Sequence, residues 1–286
     1  MTYTVIGDEK FLVSATIQGG GSNSWDDLSA NPLTAVNYAL NSTTLSTVVA
    51  DTTNGGTHAL YYDNAPVPYT SMKKQYTNYD DIPNGKCNNH STYTLCGWFK
   101  AIPYYRTGSN YFQTRFGYGG NEYVGSTNLQ PVCMFYDDRM DRLSFKSDGL
   151  SQNWMVYRNP SLLDSGLWQH WIYWYNGSQK RVYVNGVLRA SANATGSMQN
   201  ITNAHERQMR IGFFPADGFA WAGAGTAPYF NGYADDLRFF DRALSTTEIA
   251  SLASGRTSAP PTSGVTSGVY DPFTNKRFNA GNAKVR

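Results

Sequence analysis

From Gly166 to Arg189 the chain reads Gly166-Leu-Trp-Gln-His-Trp-Ile-Tyr-Trp-Tyr175, then Asn176-Gly-Ser-Gln, then Lys180-Arg-Val-Tyr-Val-Asn-Gly-Val-Leu-Arg189. Runs rich in aromatic and β-branched residues suit a pleated strand. Asn185-Gly186 between two alternating runs is the strongest short hairpin signal, because a type I′ turn needs positive φ at both central positions, and Asn and Gly accept it. These residues commit the segment to antiparallel strands joined by tight turns.

The rest of the chain agrees with an all-β reading. Aromatics make up 15% of the 286 residues, with 21 tyrosines and 27 glycines, whereas Glu occurs only at positions 9, 122, 206 and 248. That bias favours strands and turns over helices. A net charge of +2 with scattered basic residues leaves no electrostatic footprint for nucleic acid. No apolar run reaches the roughly 20 residues that span a bilayer, and the N-terminus lacks a basic region followed by an apolar one, so no membrane insertion and no classical export signal are expected. Cys87, Cys96 and Cys133 match no zinc spacing; buried free thiols are the plainer reading, with a Cys87–Cys96 hairpin bridge the alternative. Five Asn-x-Ser/Thr sequons, at Asn41, Asn89, Asn176, Asn193 and Asn200, would matter only in a secretory pathway.

Near the other end, Tyr233–Phe240 reads as a strand with Tyr233, Asp235, Leu237 and Phe239 on one face and Ala234, Asp236, Arg238 and Phe240 on the other. Ser245 and Glu248 form a capping box; the short helix after it buries Ile249 and Leu252, and Gly255 stands where a left-handed residue would end it. Gly-Tyr-Ala-Asp-Asp-Leu-Arg followed by Arg-Ala-Leu-Ser-x-x-Glu-Ile resembles the closing segment of the laminin G-like, concanavalin A-like jelly-roll family. Trp168-Gln-His170 with the Tyr183-Val-Asn-Gly186 strand end is similar to the same family, as are Thr57-His-Ala-Leu-Tyr-Tyr-Asp63 and the Gly97-Trp98 strand Ser91–Lys100. The resemblance covers about residues 55–255. It implies an antiparallel two-sheet β-sandwich, a jelly roll, with a short C-terminal helix and extended N- and C-terminal arms.

The expected organisation is an N-terminal arm or small subdomain over 1–54, the sandwich over 55–255, and a Pro/Ser/Gly linker with a tail over 256–286. The first 54 residues serve either attachment or as extra strands on the same sandwich. Residues 63–90 read as loop, and Tyr111–Tyr118, Val132–Tyr136 and Arg142–Lys146 as strands.

Glycoside hydrolases on this fold set two carboxylates about 5 Å apart across a sugar, and the alternating Glu-x-Asp-x-Glu pattern they use is absent. Asp137 and Asp138, with Asp141, are best read as a solvated hairpin, with Ca2+ binding the weaker alternative. Asp235 and Asp236 match the family's paired aspartates and are expected to hold neighbouring loops, with Arg238 and Arg242 as partners. His170 is expected to be a hydrogen-bonded core residue, since no nucleophile motif accompanies it. Sugar recognition needs an aromatic platform with a few polar groups on loops, for which the candidates are Tyr104, Tyr105, Tyr118 with Asn121, and Trp221 with Tyr229.

The expectation is therefore a noncatalytic, lectin-like virion surface protein, such as a phage capsid decoration, head-fibre or tail protein, that exposes the sandwich to cell-surface glycans. Its terminal arms would attach it to other virion proteins or to copies of itself. A secreted or cell-surface carbohydrate-binding module is the first alternative and a polysaccharide-degrading enzyme the second.

Overall fold

The computed structural model describes residues 8–15, 27–29, 33, 36–39, 47–52, 57–64, 75–79, 82–102, 112–119, 131–137, 142–158, 166–203, 206–212, 229–254, 268–271 and 276–279. In chain order their strands are β1 Phe11–Val13, β2 Val36–Ala39, β3 Thr47–Ala50, β4 His58–Tyr62, β5 Gln75–Tyr79, β6 Tyr93–Ala101, β7 Phe112–Tyr118, β8 Val132–Asp137, β9 Arg142–Lys146, β10 Trp154–Arg158, β11 Gln169–Tyr175, β12 Gln179–Val184, β13 Val187–Asn193, β14 Met209–Ile211, β15 Gly232–Phe240, β16 Gly268–Asp271 and β17 Lys276–Asn279; helix α1, Thr246–Ala253, follows β15. Two antiparallel sheets result. One runs β13-β12-β11-β6-β15-β4-β3, with β1 also on β15, and the other runs β17-β16-β10-β9-β8-β7-β14-β5-β2. The sandwich expected from the resemblance is the architecture observed, and β1, β2 and β3 supply strands to both sheets.

Alternation in the strands builds the core between the sheets. Tyr93, Leu95 and Phe99 of β6 and Trp171, Tyr173 and Tyr175 of β11 face Phe116, Met134, Phe145 and Tyr157 of the opposite sheet, all in one buried cluster. The alternate residues of β6 and β11 are buried as well. Cys96, Ile172, Trp174 and Tyr183 lie under Leu244, Ile249 and Leu252, so α1 covers one half of the outer face of the β6 sheet. Each fully buried aliphatic side chain there contributes about 2 kcal/mol. The helix starts as expected: the Glu248 N–H donates to Ser245 Oγ at 3.3 Å and the Ser245 N–H to Glu248 Oε2 at 2.7 Å. Gly255 lies outside the described residues.

Two readings need correction, and the plainer reading of the cysteines stands. Residues 63–90 contain a strand, β5, Gln75-Tyr-Thr-Asn-Tyr79, which is polar at Gln75, Thr77 and Asn78 yet buried throughout. The two faces assigned to β15 hold only in part, because the β15–β6 register shifts between Asp235 and Arg238 and Asp236 takes φ +55°. This bulge reverses the phase, so Ala234, Leu237 and Phe239 all join the inter-sheet core. All three cysteines are free and buried; Cys87 belongs to the inter-sheet core and Cys96 to the cluster beneath α1, on opposite faces of the sheet. The Asn185-Gly186 turn has φ of 53° and 74°, as its type requires.

Candidate functional site

The paired aspartates fasten the N-terminal strand. Asp235 Oδ1 accepts from the Ala15 N–H at 2.8 Å, the Asp236 N–H at 2.8 Å and Ser14 Oγ at 3.2 Å. Arg238 donates through Nε and Nη2 to Asp236 at 3.0 and 2.8 Å, and through Nη1 to Glu9 at 2.8 Å. Arg242, the other expected partner, instead pairs with Asp8 and Glu248. A buried guanidinium between two carboxylates satisfies the burial of all three groups.

His170 sits in the core at 5.1 Å from the Trp98 ring. The expectation of a hydrogen-bonded ring fails: neither ring nitrogen has a partner among the described residues, although the backbone N–H donates to Asn185 Oδ1 at 2.8 Å. Burial, and then the charge of Arg238, push its pKa down to about 3. Burial disfavours the protonated form and closes the ring off from solvent, so the imidazole is poorly placed to exchange a proton with a bound molecule.

Of the sequence-derived sugar candidates, Tyr104, Tyr105, Asn121 and Trp221 lie outside the described residues, as does Asp138. Asp137 ends β8, opposite Arg142. Tyr118, a sugar candidate at the end of an expected strand, is the last residue of β7 and is fully buried in the core. Its hydroxyl has no hydrogen-bond partner among the described residues, and burial holds the phenol well above its ordinary pKa. Tyr229 is 5% exposed, with its ring 6.2 Å from Tyr76.

A buried amide network draws several chain segments to one rim of the sandwich. The Asn64 side chain donates to Gln75 O and Phe230 O and accepts from the Gln75 N–H. The Asn64 N–H donates to Asn231 Oδ1, and Asn231 Nδ2 to Ile102 O. The Phe230 N–H donates to Gly212 O at 2.7 Å, clasping the two ends of the segment that includes Trp221. The segment that includes Tyr104 and Tyr105 starts at Ile102, beside Asn231.

On the half of the outer face that α1 leaves open, next to this rim, lies an aromatic cluster that the sequence reading missed. Tyr233 of β15 stands directly opposite Tyr61 of β4, and the two half-buried rings stack at 4.8 Å. The Trp168 ring lies 6.4 Å from Tyr233, packed with Ala59 and Trp98. Lys100 of β6 sets its ammonium 4.9 Å from the Tyr233 ring and 3.5 Å from Asp51 Oδ2, and the same carboxylate oxygen accepts from Trp168 Nε1 at 3.1 Å. Tyr61 has its phenol pKa raised by partial burial, then by the charge of Asp63 and by Tyr233. Tyr61 and Tyr233 are outward alternates of strands whose inward neighbours fill the core. Period-2 reading could have marked each as surface-facing, but only strand register brings them together.

Such a surface gathers aromatic rings, an ammonium and a carboxylate, the kinds of group through which proteins hold sugars. Among the described residues no group of three or more His, Cys, Asp and Glu gathers as a metal site would require.

Comparison with known proteins agrees with the architecture. A family model described as the concanavalin A-like lectin/glucanases superfamily matches residues 73–250, more than half of the chain. No curated protein sequence matches. Among solved structures, the botulinum neurotoxin serotype G binding domain is similar at TM-score 0.54 and 12% identity, over 86% of this chain and 50% of that one. The binding domain of Paraclostridial Mosquitocidal Protein 1 is similar at TM-score 0.52 and 12% identity, over 86% and 52%. Trypanosoma rangeli sialidase, in complex with the inhibitor DANA, is similar at TM-score 0.50 and 13% identity, over 85% and 32%. The chain thus spans about half the length of the two toxin domains and a third of the sialidase, and at these identities the likeness is one of fold.

Proposed function

Because this chain belongs to the concanavalin A-like lectin/glucanases superfamily, we propose that it is a noncatalytic glycan-binding sandwich whose binding surface is the Tyr61–Tyr233 platform and the adjoining rim. The observation that carries this reading is the pair of stacked, half-exposed tyrosines beside an ammonium and a fixed carboxylate, on a face that α1 leaves open. Sugar binding uses aromatic rings at a surface directly. In support of a noncatalytic role, Asp235, Asp236 and Glu9 are engaged in holding β1 and β15 together, and His170 is sealed. Tyr104, Tyr105 and Trp221 are further candidates for contact with the sugar, and Ca2+ is a candidate ligand of the sandwich rim.

The setting we propose is a phage particle, with the sandwich facing cell-surface glycans and the terminal segments attached to other virion proteins or to further copies of the chain. An adhesion-type fold with strands added at the sheet periphery, such as β16–β17 beyond β10, suits that arrangement, and a secreted carbohydrate-binding module suits the platform equally. A glycan array probed with and without calcium tests the binding claim. Tyr61→Ala and Tyr233→Ala should each weaken the signal about tenfold, and unchanged binding in both would reject the platform. Mass spectrometry of particles purified from the source tests the setting, which fails if the chain is absent from them.

A further inference from the structure

Resting on the reading that terminal segments attach to further copies of the chain, and independently of the glycan platform, we infer that the open edge of β13 is the receiving surface and that residues 1–7 of a second copy pair along it as an added strand. β13 ends its sheet. Just beyond it the Ala194 N–H donates to Ser178 O, so in steps of two Ala192 and Ala190 bond β12, while Ser191 and Asn193 turn their N–H and C=O groups to the open side. Both residues are exposed. The register shift of the ladder falls beside Arg189, which leaves Ala190–Asn193 as a regular run. Open edges are ordinarily blunted by Lys, by Pro or by a covering element. β13, Val187-Leu-Arg-Ala-Ser-Ala-Asn193, has neither residue. Its Val187 and Leu188 stay 45% and 47% exposed, two adjacent members of the four exposed large apolar side chains among the described residues.

Residues 1–7, Met1-Thr-Tyr-Thr-Val-Ile-Gly7, lie outside the described residues. They carry no charged side chain and set strand formers at every position from Thr2 to Ile6. Arg189 is the one charge on β13, so the two strands bring no like charges together, and Val5 and Ile6 would supply apolar partners for Val187 and Leu188. The segment cannot serve its own β13. Asp8 pairs with Arg242 and the Lys10 N–H donates to Phe239 O, which fixes the start of the described chain on the β1 side of β15. From β1 to β13 the sheet steps across β15, β6, β11 and β12, five spacings of about 4.8 Å or about 24 Å. Seven extended residues reach about 24 Å, so the segment would be used up in arriving. Nor can two β13 edges join directly. Arg189 lies 6.0 Å from the Tyr157 ring of β10, so β13 stands over β10, and β16 and β17 continue the opposite sheet beyond it. A single added strand would have that hairpin as a floor, whereas pairing two β13 edges would drive two hairpins into one space.

The test is sedimentation velocity of the full chain over a range of concentrations, beside Ser191→Pro, the double variant Val187→Lys with Leu188→Lys, and the chain without residues 1–7. Each is first shown by circular dichroism and thermal melting to be folded. Pro is tolerated at an edge position whose N–H faces outward, so Ser191→Pro removes a donor from the open side alone. A fluorescent peptide of the sequence 1–7 is also titrated onto the chain without those residues, with and without Ser191→Pro. The expected result is concentration-dependent association of the wild type, weakened at least about tenfold by each change, and peptide binding that Ser191→Pro weakens by the same factor. Association that withstands both β13 changes or the removal of residues 1–7, or peptide binding indifferent to Ser191→Pro, would overturn the pairing and leave the joining of copies standing. A wild type that stays monomeric at every concentration would overturn both.

Discussion

Replacing His170 with Leu should remove a pH-dependent weakness from the core. In the folded chain the imidazole is fully buried, and its pKa falls from the ordinary 6.5 to about 3, first through burial and then through the charge of Arg238. A base whose folded pKa is depressed is disfavoured in its protonated form, so the unfolded chain takes up the proton more readily as the pH falls. Stability is therefore complete above about pH 6.5, declines as the pH drops through the window from 6.5 to 3, and levels off below it. The full linkage is on the order of 5 kcal/mol, and about 2 kcal/mol of it is lost by pH 5. Leu has a similar volume, retains apolar contact with Trp98 at the position where the imidazole ring lies 5.1 Å away, and removes two ring nitrogens that have no partner among the described residues. At pH 7.5 the variant should match or exceed the wild type by up to about 1 kcal/mol. At pH 5 its advantage should grow by about a further 2 kcal/mol. Urea unfolding followed by tryptophan fluorescence at pH 7.5, 6.5, 5.5 and 5.0 measures the difference directly. Parallel stability curves for the two proteins across that range would refute the reasoning, because they would mean that His170 is solvated or paired.

Asp236 carries both a charge and an unusual backbone conformation, and two substitutions separate them. Asp236→Asn keeps a residue that tolerates φ of +55° but removes the carboxylate charge that Arg238 Nε and Nη2 meet, which should cost about 3 kcal/mol; Asp236→Ala should cost about 1 kcal/mol more through backbone strain, so thermal melting should rank wild type, Asn, Ala in falling order. Lys180 is buried and donates to the Gln152 and Trp154 carbonyls, and burial lowers its pKa to about 7. Between about pH 7 and its ordinary 10.5 the unfolded chain holds this proton more tightly, so wild-type stability should gain on this account as the pH rises through that window, by about 1.4 kcal/mol per pH unit at most. Lys180→Met should lack that gain in urea titrations at pH 7, 8 and 9.

Where an interaction spans only a few residues, reading the chain was enough. The Asn185-Gly186 turn, the Ser245–Glu248 capping box and the alternation in β6 and β11 each depend on local dihedral preference or on a period of two, and all three stand as read. The assignments that failed were those that required knowing which strands lie side by side. Three polar residues in five obscured β5, although Thr77 Oγ1 finds the Tyr62 hydroxyl and the Gln75 N–H finds Asn64 only across the fold. Tyr118, at the end of an expected strand, looked available to a ligand because nothing near it in sequence shows that two sheets close over it.

The sequence by itself determined that the chain forms antiparallel strands, where one hairpin turns and where the C-terminal helix starts, because those outcomes follow from φ preferences and side chains three or four residues apart. Only the tertiary structure decided that Asp236 reverses the phase of β15, that Arg238 rather than Arg242 answers it, and that Tyr61 meets Tyr233 beside Lys100 and Asp51. Tyr61 and Tyr233 are 172 residues apart (233 − 61), and their meeting is fixed by strand register. Register is a collective property of the buried face, where a slip of one residue would expose the core.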